Sequence, residues 1–213
     1  MKNVLAVGAH ADDVEIGCGG TVARHAKNGD HVIILIMTKS AYSYYDGRVL
    51  RTLEEGVWEE EHAAKVLAAK SINLGFETKE VPYSKESVEA INEVIDKYDI
   101  DIIYTHWYHD THQDHMRTTQ STISAGRFVN NILMYEPNYP AGRSYFGFRN
   151  QYYVDITPSF EIKMEALKQH KSQMKKYGDE YLEAIEARAR HRGCEVACRY
   201  AECYEVLRLF GDV

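Results

Sequence analysis

Two short clusters of histidine and aspartate contain the residues of this sequence that could do chemistry. The first consists of His10, Asp12 and Asp13, in the stretch VLAVGAHADDVEIGCGG near the start of the chain. Adjacent carboxylates repel each other, so this pair is a poor choice for stability alone. The pair therefore indicates a positive partner that the stretch does not supply: one aspartate could bind a cation while the other acts as a base.

The second cluster is the stretch THWYHDTHQDH, in which histidine recurs at every third position. Its histidines and aspartates are His106, His109, His112, His115, Asp110 and Asp114. Imidazole and carboxylate without thiolate suit zinc, or another borderline divalent metal such as ferrous iron, better than calcium or magnesium. Two histidines and one carboxylate would leave one coordination position open, as catalytic zinc requires. The spacing does not select the ligands, so His106 and His109 could instead shape the loop or support a ligand.

Each cluster follows an apolar segment that predicts a buried β-strand. The predicted strands are residues 4–7, 31–37, 71–74, 101–105 and 132–135. They alternate with predicted helices at residues 19–28, 53–70, 85–97 and 114–127. This alternation is typical of βαβ units in an α/β sandwich with a mostly parallel sheet. Since ligands of such sheets gather beyond the carboxyl ends of the strands, we expect the two clusters to meet at one edge.

The last third of the chain has a less regular pattern. An apolar stripe after Pro158 predicts a helix that reaches about residue 174, and residues 177–192 predict another. The aromatic loop from Pro140 to Asn150 is equally typical of a rim over a site and of an ordinary surface loop. No repeat or linker divides the sequence, so we expect one domain over residues 1–213.

Composition excludes several classes of function. A formal charge of −7 and a pI near 5.8 argue against a general nucleic-acid binder, whose affinity comes from clustered lysine and arginine. No segment reaches the roughly 20 apolar residues of a membrane span, so we expect a soluble cytoplasmic protein. The four cysteines are too few and too unevenly placed for a disulfide framework.

The motifs in both clusters resemble a known family. HADDVEIGCGG and HQDH are similar to the two signatures, AHPDDxEIGxGG and HPDH, of the PIG-L/LmbE-like zinc-dependent N-acetyl-sugar deacetylases. An arginine- and glutamate-rich helix from near Arg51 and the sequence HKSQ at residues 170–173 add to the likeness. Ala11 and Gln113 stand where the family usually has proline, so we expect both loops to be less rigid.

This resemblance implies a Rossmann-like three-layer sandwich and a set of roles for the site. His10, Asp13 and His115 would bind Zn²⁺, and Asp12 would be the general base. Protonated His112 would stabilise the oxyanion or protonate the leaving amine.

The resemblance also implies a supporting residue, a substrate and an assembly. Asp114 would orient His112 through a hydrogen bond. The substrate would be an N-acetylated amino sugar, N-acetylglucosamine or a conjugate of it. Arg51 would hydrogen-bond the sugar hydroxyls, and the alternative is an ion pair with Glu54 or Glu55. Members of the family often form trimers or hexamers, so a homo-oligomer is expected.

Three other interpretations fit parts of the sequence. Paired aspartates after a strand also suit a magnesium-dependent phosphoesterase. The glycines at 17, 19 and 20 suggest a dinucleotide-binding module, but they come about ten residues after the strand rather than at its end. A non-catalytic sugar-binding protein could retain the metal for structure, although Asp12 and His112 beside a full ligand set argue against it.

Overall fold

A seven-stranded sheet forms the centre of the computed structural model, which describes residues 1–138 and 142–211. In chain order the strands are β1 (Asn3–Gly8), β2 (His31–Thr38), β3 (Tyr42–Ser43), β4 (Val49–Arg51), β5 (Lys70–Phe76), β6 (Ile102–Thr105), β7 (Asn131–Tyr135), β8 (Tyr152–Asp155) and β9 (Ala201–Arg208). The sheet order is β5-β2-β1-β6-β7-β9-β8, while β3 and β4 form a separate hairpin. Strands β5 to β7 in this order are parallel, and β9 and β8 are antiparallel to their neighbours.

Helices cover both faces of the sheet. They are α1 (Asp13–Lys27), α2 (Leu53–Val66), α3 (Lys85–Tyr98), α4 (Gln113–Ala125), α5 (Phe160–Leu167), α6 (Lys171–Tyr177) and α7 (Glu180–Glu195). Val4 and Ala6 of β1 face a core shared with α1, α2 and α5, whereas Leu5 and Val7 face a core shared with α3 and α4. A strand buried on both faces needs the continuous apolar run that β1 has. The predicted three-layer α/β sandwich is confirmed.

Two of the glycines after the first cluster allow helix α1 to pack closely against its neighbours. This helix begins at Asp13, six residues before the predicted start. A Cβ on Gly17 would lie 2.3 Å from the ring of Tyr135, and one on Gly20 would lie 2.7 Å from Ile156. Only glycine allows the helix to approach β7 and the segment after β8 so closely. These contacts explain Gly17 and Gly20 without a bound dinucleotide.

The C-terminal third differs from the sequence pattern in three ways. The predicted helix to residue 174 is two helices, α5 and α6, separated by a turn, and strands β8 and β9 were not predicted. Strand β9 contains Glu202 and Glu205. These charged residues interrupt the apolar run from which a buried strand would be predicted. Both are buried with partners: Lys163 Nζ lies 2.6 Å from Glu202, and the Trp107 indole donates to Glu205 at 3.1 Å. A buried carboxylate is tolerated when it is paired in this way.

The aromatic loop lies on the surface where it is described. Pro140 lies outside the described residues. Tyr145 is almost fully exposed, and the ring of Phe146 packs 4.3 Å from the ring of His109. Within residues 1–138 and 142–211, no helix is long and apolar enough to cross a membrane.

Candidate metal centre

The two clusters converge at one edge of the sheet, because β1 and β6 are adjacent and parallel, with Ala6 paired with Tyr104. The chain leaves β1 through His10 and enters α1 at Asp13. It leaves β6 through His106 and reaches the start of α4 at His112, the residue that caps this helix. The predicted meeting of the two clusters is therefore observed.

His10, Asp13 and His115 form a group whose ligand atoms all lie within 4.8 Å of one another. His115 Nε2 is 3.4 Å from Asp13 Oδ1, and His10 Nδ1 is 3.3 Å from Asp13 Oδ2. All three residues line a pocket of about 350 Å³ that opens to solvent. A substrate could thus reach an ion held by this group.

Two other groups of three potential ligands share histidines with this one: His106, Asp110 and His115, and His10, His112 and Asp114. Burial, together with the charge of neighbouring His115, lowers the pKa of His106 to about 4, and its Nε2 accepts the backbone N–H of Ala9 at 2.9 Å. Asp114 is fully buried and accepts the backbone N–H of Lys79 at 2.7 Å. In each of these two groups, at least one ligand atom already has a hydrogen-bond partner. In each group, at least one residue also does not line the pocket.

The two histidines of the pocket group each have a carboxylate on the nitrogen that faces away from Asp13. Asp110 Oδ2 lies 2.9 Å from His115 Nδ1, and Asp114 Oδ2 lies 2.8 Å from His10 Nε2. Metal-binding histidines commonly have such a partner, which fixes the ring and its tautomer. Asp110 therefore belongs to the site, although its spacing in the sequence gave it no specific role.

The side chain of Asp114 does not make the predicted contact that would orient His112. The ring of His112 turns back to cap α4, and its Nδ1 accepts the backbone N–H of Asp114 at 3.2 Å. The Asp114 carboxylate points the other way, toward His10 and the backbone of Lys79. The helix cap, not a carboxylate, sets the orientation of His112.

The charges of the pocket group fit a bound cation. Burial alone would lower the pKa of His115, but Asp13 and the hydrogen bond to Asp110 raise it to about 10. Burial would raise the pKa of Asp13, but the charges of His115 and His106 hold it well below its usual value. A proton on His115 thus balances the carboxylates in the metal-free chain. A divalent ion on the same donors would replace that proton, because metal binding requires deprotonated ligands.

Asp12 combines an unusual backbone conformation with a raised pKa. Its φ of 108° lies in the left-handed region, which is unfavourable for a residue with a Cβ and persists only where the surroundings enforce it. Burial raises the pKa of Asp12 to about 6, although the nearby Arg51 acts in the opposite direction. Asp12 lines the same pocket as the metal group.

His112 is neutral at ordinary pH, in contrast to the protonated imidazole of the prediction. Burial, followed by the charges of His115 and His10, lowers the pKa of His112 to about 4. Because Nδ1 accepts the N–H of Asp114, the ring proton is on Nε2. Its ring also lines the pocket, where Nε2–H can donate a hydrogen bond.

Arg51 is buried and bonded mainly to the protein. Its guanidinium donates to the carbonyl oxygens of Ser40 at 2.6 Å and Ala11 at 3.0 Å. Its ion-pair partner is Glu59, at 3.6 Å, rather than Glu54 or Glu55. Arg51 also lines the pocket. Its main contacts, however, are the hydrogen bonds that hold the loop carrying Asp12 in place.

A buried cluster behind Arg51 was not predicted as part of the site. His170 Nε2 lies 3.5 Å from Glu15 Oε2, and its Nδ1 lies 4.0 Å from Glu59 Oε2. Glu59 also accepts hydrogen bonds from the backbone N–H and hydroxyl of Ser172. The sequence signals for this cluster were the glutamate after the paired aspartates and the HKSQ motif. His109, in contrast, packs against Phe146 and does not line the pocket.

Comparison with known proteins identifies the family. Residues 5–126, more than half of the chain, match the family described as PIG-L: GlcNAc-PI de-N-acetylase. The chain belongs to the PIG-L family. Over 179 residues it is 32% identical to the uncharacterized deacetylase YaiS of Escherichia coli, covering 80% of this chain and 91% of YaiS. It is 31% identical over 192 residues to the diacetylchitobiose deacetylase of Thermococcus kodakarensis, covering 81% and 70% of the two chains.

Solved structures share the fold of this chain. The conserved protein TT1542 from Thermus thermophilus superposes with a TM-score of 0.84 at 24% identity, covering 100% of this chain and 98% of that one. The N,N'-diacetylchitobiose deacetylase from Pyrococcus horikoshii gives a TM-score of 0.79 at 23% identity, covering 97% and 84%. At these identities the likeness concerns the fold alone. The family resemblance drawn from the two motifs is confirmed.

Proposed function

We propose that this PIG-L family protein is a zinc-dependent hydrolase that removes the acetyl group from an N-acetylated amino sugar, N-acetylglucosamine or a conjugate of it. The observation that carries the proposal is that the group of His10, Asp13 and His115 opens into the same pocket as Asp12 and His112. The relatives named as deacetylases support amide hydrolysis over phosphate-ester hydrolysis.

His10, Asp13 and His115 would hold the ion, and ferrous iron would accept the same ligands. When bound, the ion supplies a Lewis acid that polarises an amide carbonyl and lowers the pKa of water. Asp110 and Asp114 hold the two histidines by their other nitrogens, which keeps the donor atoms directed at one point.

Asp12 and His112 supply the proton chemistry. With a pKa of about 6, the Asp12 carboxylate is mostly ionised at neutral pH and can accept a proton from the attacking water. His112 donates its Nε2–H to the amide oxygen as negative charge develops there. The proton collected by Asp12 then passes to the leaving nitrogen, so water and amide yield acetate and a free amine.

Metal content and amine release from N-acetylhexosamine derivatives, measured on the same preparation, test this function. Asp12→Asn should keep the metal and lose activity by about 10²-fold or more, whereas His115→Ala should lose the metal. His191→Ala, at an exposed position, is the matched histidine control. An Asp12→Asn protein with zinc and full activity would remove Asp12 as the base. Turnover of phosphate esters but not amides would favour the phosphoesterase, and neither activity would favour the non-catalytic sugar-binding protein.

Three further parts of the proposal concern the whole chain. Residues 1–213 would form one LmbE-like deacetylase domain, which would act in the cytoplasm on a small-molecule substrate. The chain would assemble as a homo-oligomer, a trimer or a hexamer. Light scattering on the purified protein tests the assembly, and a monomer at working concentration would contradict it.

A further inference from the structure

A buried histidine that the proposed reaction does not use lies close to the loop that carries Asp12. His170 is 1% exposed, and neither of its ring nitrogens has a hydrogen-bond partner among the described residues. Within the same part of the chain, Oε2 of the buried Glu15 also has none. Buried polar atoms are rarely left without a partner, because losing their contacts with water is costly. These three atoms therefore need another source of stabilisation.

The two ring nitrogens of His170 face carboxylates on two different helices. Nε2 lies 3.5 Å from Glu15 Oε2 of α1, and Nδ1 lies 4.0 Å from Glu59 Oε2 of α2. A neutral imidazole has an N–H on one nitrogen only, so it would turn a lone pair toward one of the two carboxylates. An imidazolium has an N–H on both nitrogens and a charge that attracts both carboxylates. The geometry thus favours a protonated His170.

The charges around His170 favour the same state. The charged groups that face it are Glu15 of α1, Glu59 of α2, Arg51 of β4 and Asp12. Among the described residues, Glu15 has no ion-pair partner besides His170, and an unpaired carboxylate in a protein interior is costly. Burial alone would lower the pKa of His170, but the charges of Glu15 and then Asp12 raise it, although Arg51 opposes them.

Glu59 connects this imidazole to the backbone of the proposed base. Its Oε2 lies 3.6 Å from Nη1 of Arg51, and the same nitrogen donates to the carbonyl oxygen of Ala11 at 3.0 Å. Ala11 directly precedes Asp12, whose left-handed φ of 108° persists only where the surroundings enforce it. A displacement of the Glu59 carboxylate would therefore reach the base through a single guanidinium group.

We propose that His170 is a positioning residue, an imidazolium that links Glu15 to Glu59. Through Glu59 and Arg51 it fixes the backbone that presents Asp12. The inference rests on the proposed function, in which Asp12 is the base. The histidines of the metal group are held by other carboxylates, so loss of His170 should slow the reaction while the metal stays bound. In the alternative, His170 is a neutral ring that only fills the space between α1 and α2.

The protonation state of His170 can be measured in the unmodified protein. In the presence of zinc, ¹⁵N NMR of labelled histidine distinguishes an imidazolium from either neutral tautomer, and the ring signals are assigned through bonds to the backbone. We expect both ring nitrogens of His170 to be protonated at about pH 7.5, where an ordinary histidine is mostly neutral. A neutral ring at that pH overturns the inference.

The kinetics of His170→Gln test the positioning. Glutamine loses the charge and cannot donate toward both carboxylates. We expect kcat for N-acetylhexosamine derivatives to fall about tenfold and KM to change less than about threefold, since a small displacement of a catalytic group slows the reaction strongly. Zinc content should equal that of the parent protein. A loss of zinc in parallel with kcat, or an effect on KM alone, overturns the inference.

His25→Gln is the matched control. His25 is a partly buried histidine with a carboxylate partner, Asp30, at 2.7 Å, and it does not line the pocket of the metal group. Its replacement removes a contact of the same type, so it shows the effect of general destabilisation. We expect its kcat, KM and zinc content to equal those of the parent protein. A fall in kcat as large as that of His170→Gln overturns the inference.

Coupling between variants separates positioning from a general loss of structure. Without the base there is nothing left to position, so His170→Gln should lower the residual kcat of Asp12→Asn less than about twofold. Glu59→Gln should give a loss similar to that of His170→Gln, and the double variant should lose little more than either. A full loss in the Asp12→Asn background, or additive losses in the double variant, overturns the inference while the proposed function stands.

Failure of the proposed function gives a different result, because no N-acetylated sugar then releases an amine with zinc or ferrous iron. The loop is in that case monitored by hydrogen exchange of the Ala11 N–H, which donates to Ser40 Oγ at 2.9 Å. His170→Gln should raise this exchange rate about tenfold relative to His25→Gln, because the loop opens more often. Equal rates in the two variants overturn the inference.

Discussion

Asp114→Asn tests which histidine the Asp114 carboxylate serves. In the structure the carboxylate contacts His10 Nε2 at 2.8 Å, whereas His112 receives only the backbone N–H of Asp114. Asparagine has the same shape, and its one oxygen can still accept the N–H of Lys79 at 2.7 Å. Only the longer bond from the N–H of Val81, at 3.3 Å, is lost, so the fold should survive. The charge that holds the ring of His10 is lost. We therefore expect zinc affinity to fall, while chemistry at saturating zinc is largely kept.

The size of the effect follows from the kind of contact removed. Replacing a carboxylate partner of a metal-binding histidine costs about 10- to 100-fold in metal affinity. An asparagine carbonyl keeps a weaker, neutral hydrogen bond, so the lower end applies, about tenfold or about 1.4 kcal/mol. Asp110→Asn should act in the same direction, because Asp110 contacts His115 Nδ1 at 2.9 Å.

The assay is a zinc titration against a competing chelator, followed by kcat at saturating zinc. Asp30→Asn is the matched control, because Asp30 lies 2.7 Å from His25 Nδ1, a contact of the same type that lies outside the pocket. Its zinc affinity should equal that of the parent protein. Unchanged affinity with a strongly reduced kcat in Asp114→Asn would refute the reasoning and support the orienting of His112 instead.

Two other predictions concern the base and the packing of α1. We expect kcat/KM to fall as the pH drops through about 6 or below, because Asp12 then takes up a proton and cannot accept one from water, and a bound cation lowers this pKa further. An acidic limb above pH 7 in the pH–rate profile would contradict it. We expect Gly17→Ala to lower the free energy of unfolding by about 1–3 kcal/mol in denaturant titrations, since its Cβ would lie 2.3 Å from the Tyr135 ring. Gly147→Ala, with open space around the new methyl group, is the control and should be near neutral.

Much of the fold could be predicted because its central strands are buried on both faces. The segments that form β1, β2 and β7 are continuous apolar runs. Such runs are typical of strands in a parallel sheet that helices cover on both faces. Strand β9 could not be predicted in the same way, because Glu202 and Glu205 interrupt its pattern. Their partners, Lys163 and Trp107, are about 40 and 100 residues away in the chain, and no local pattern reveals such pairs.

The candidate site, like the fold, could be predicted only in part. The order of strands brings the clusters after β1 and β6 together, so their meeting could be predicted from topology. Which histidine each aspartate of the second cluster contacts could not be predicted. Asp110 and Asp114 are both close to His112 in sequence, but the turn into α4 directs one carboxylate to His115 and the other to His10. Those directions depend on side-chain rotamers at a helix start, which spacing does not encode.

Ala11, one of the two positions where the family usually has proline, shows how a different residue can hold the same loop. Ala11 was expected to loosen the loop, but its N–H donates to Ser40 Oγ at 2.9 Å, a bond that proline cannot make, and its carbonyl accepts from Arg51 at 3.0 Å. Hydrogen bonds on both sides of the residue replace the constraint of the ring. The next residue is Asp12, whose left-handed backbone needs such enforcement. Arg51 therefore supports the proposed chemistry mainly by fixing the backbone that presents the base.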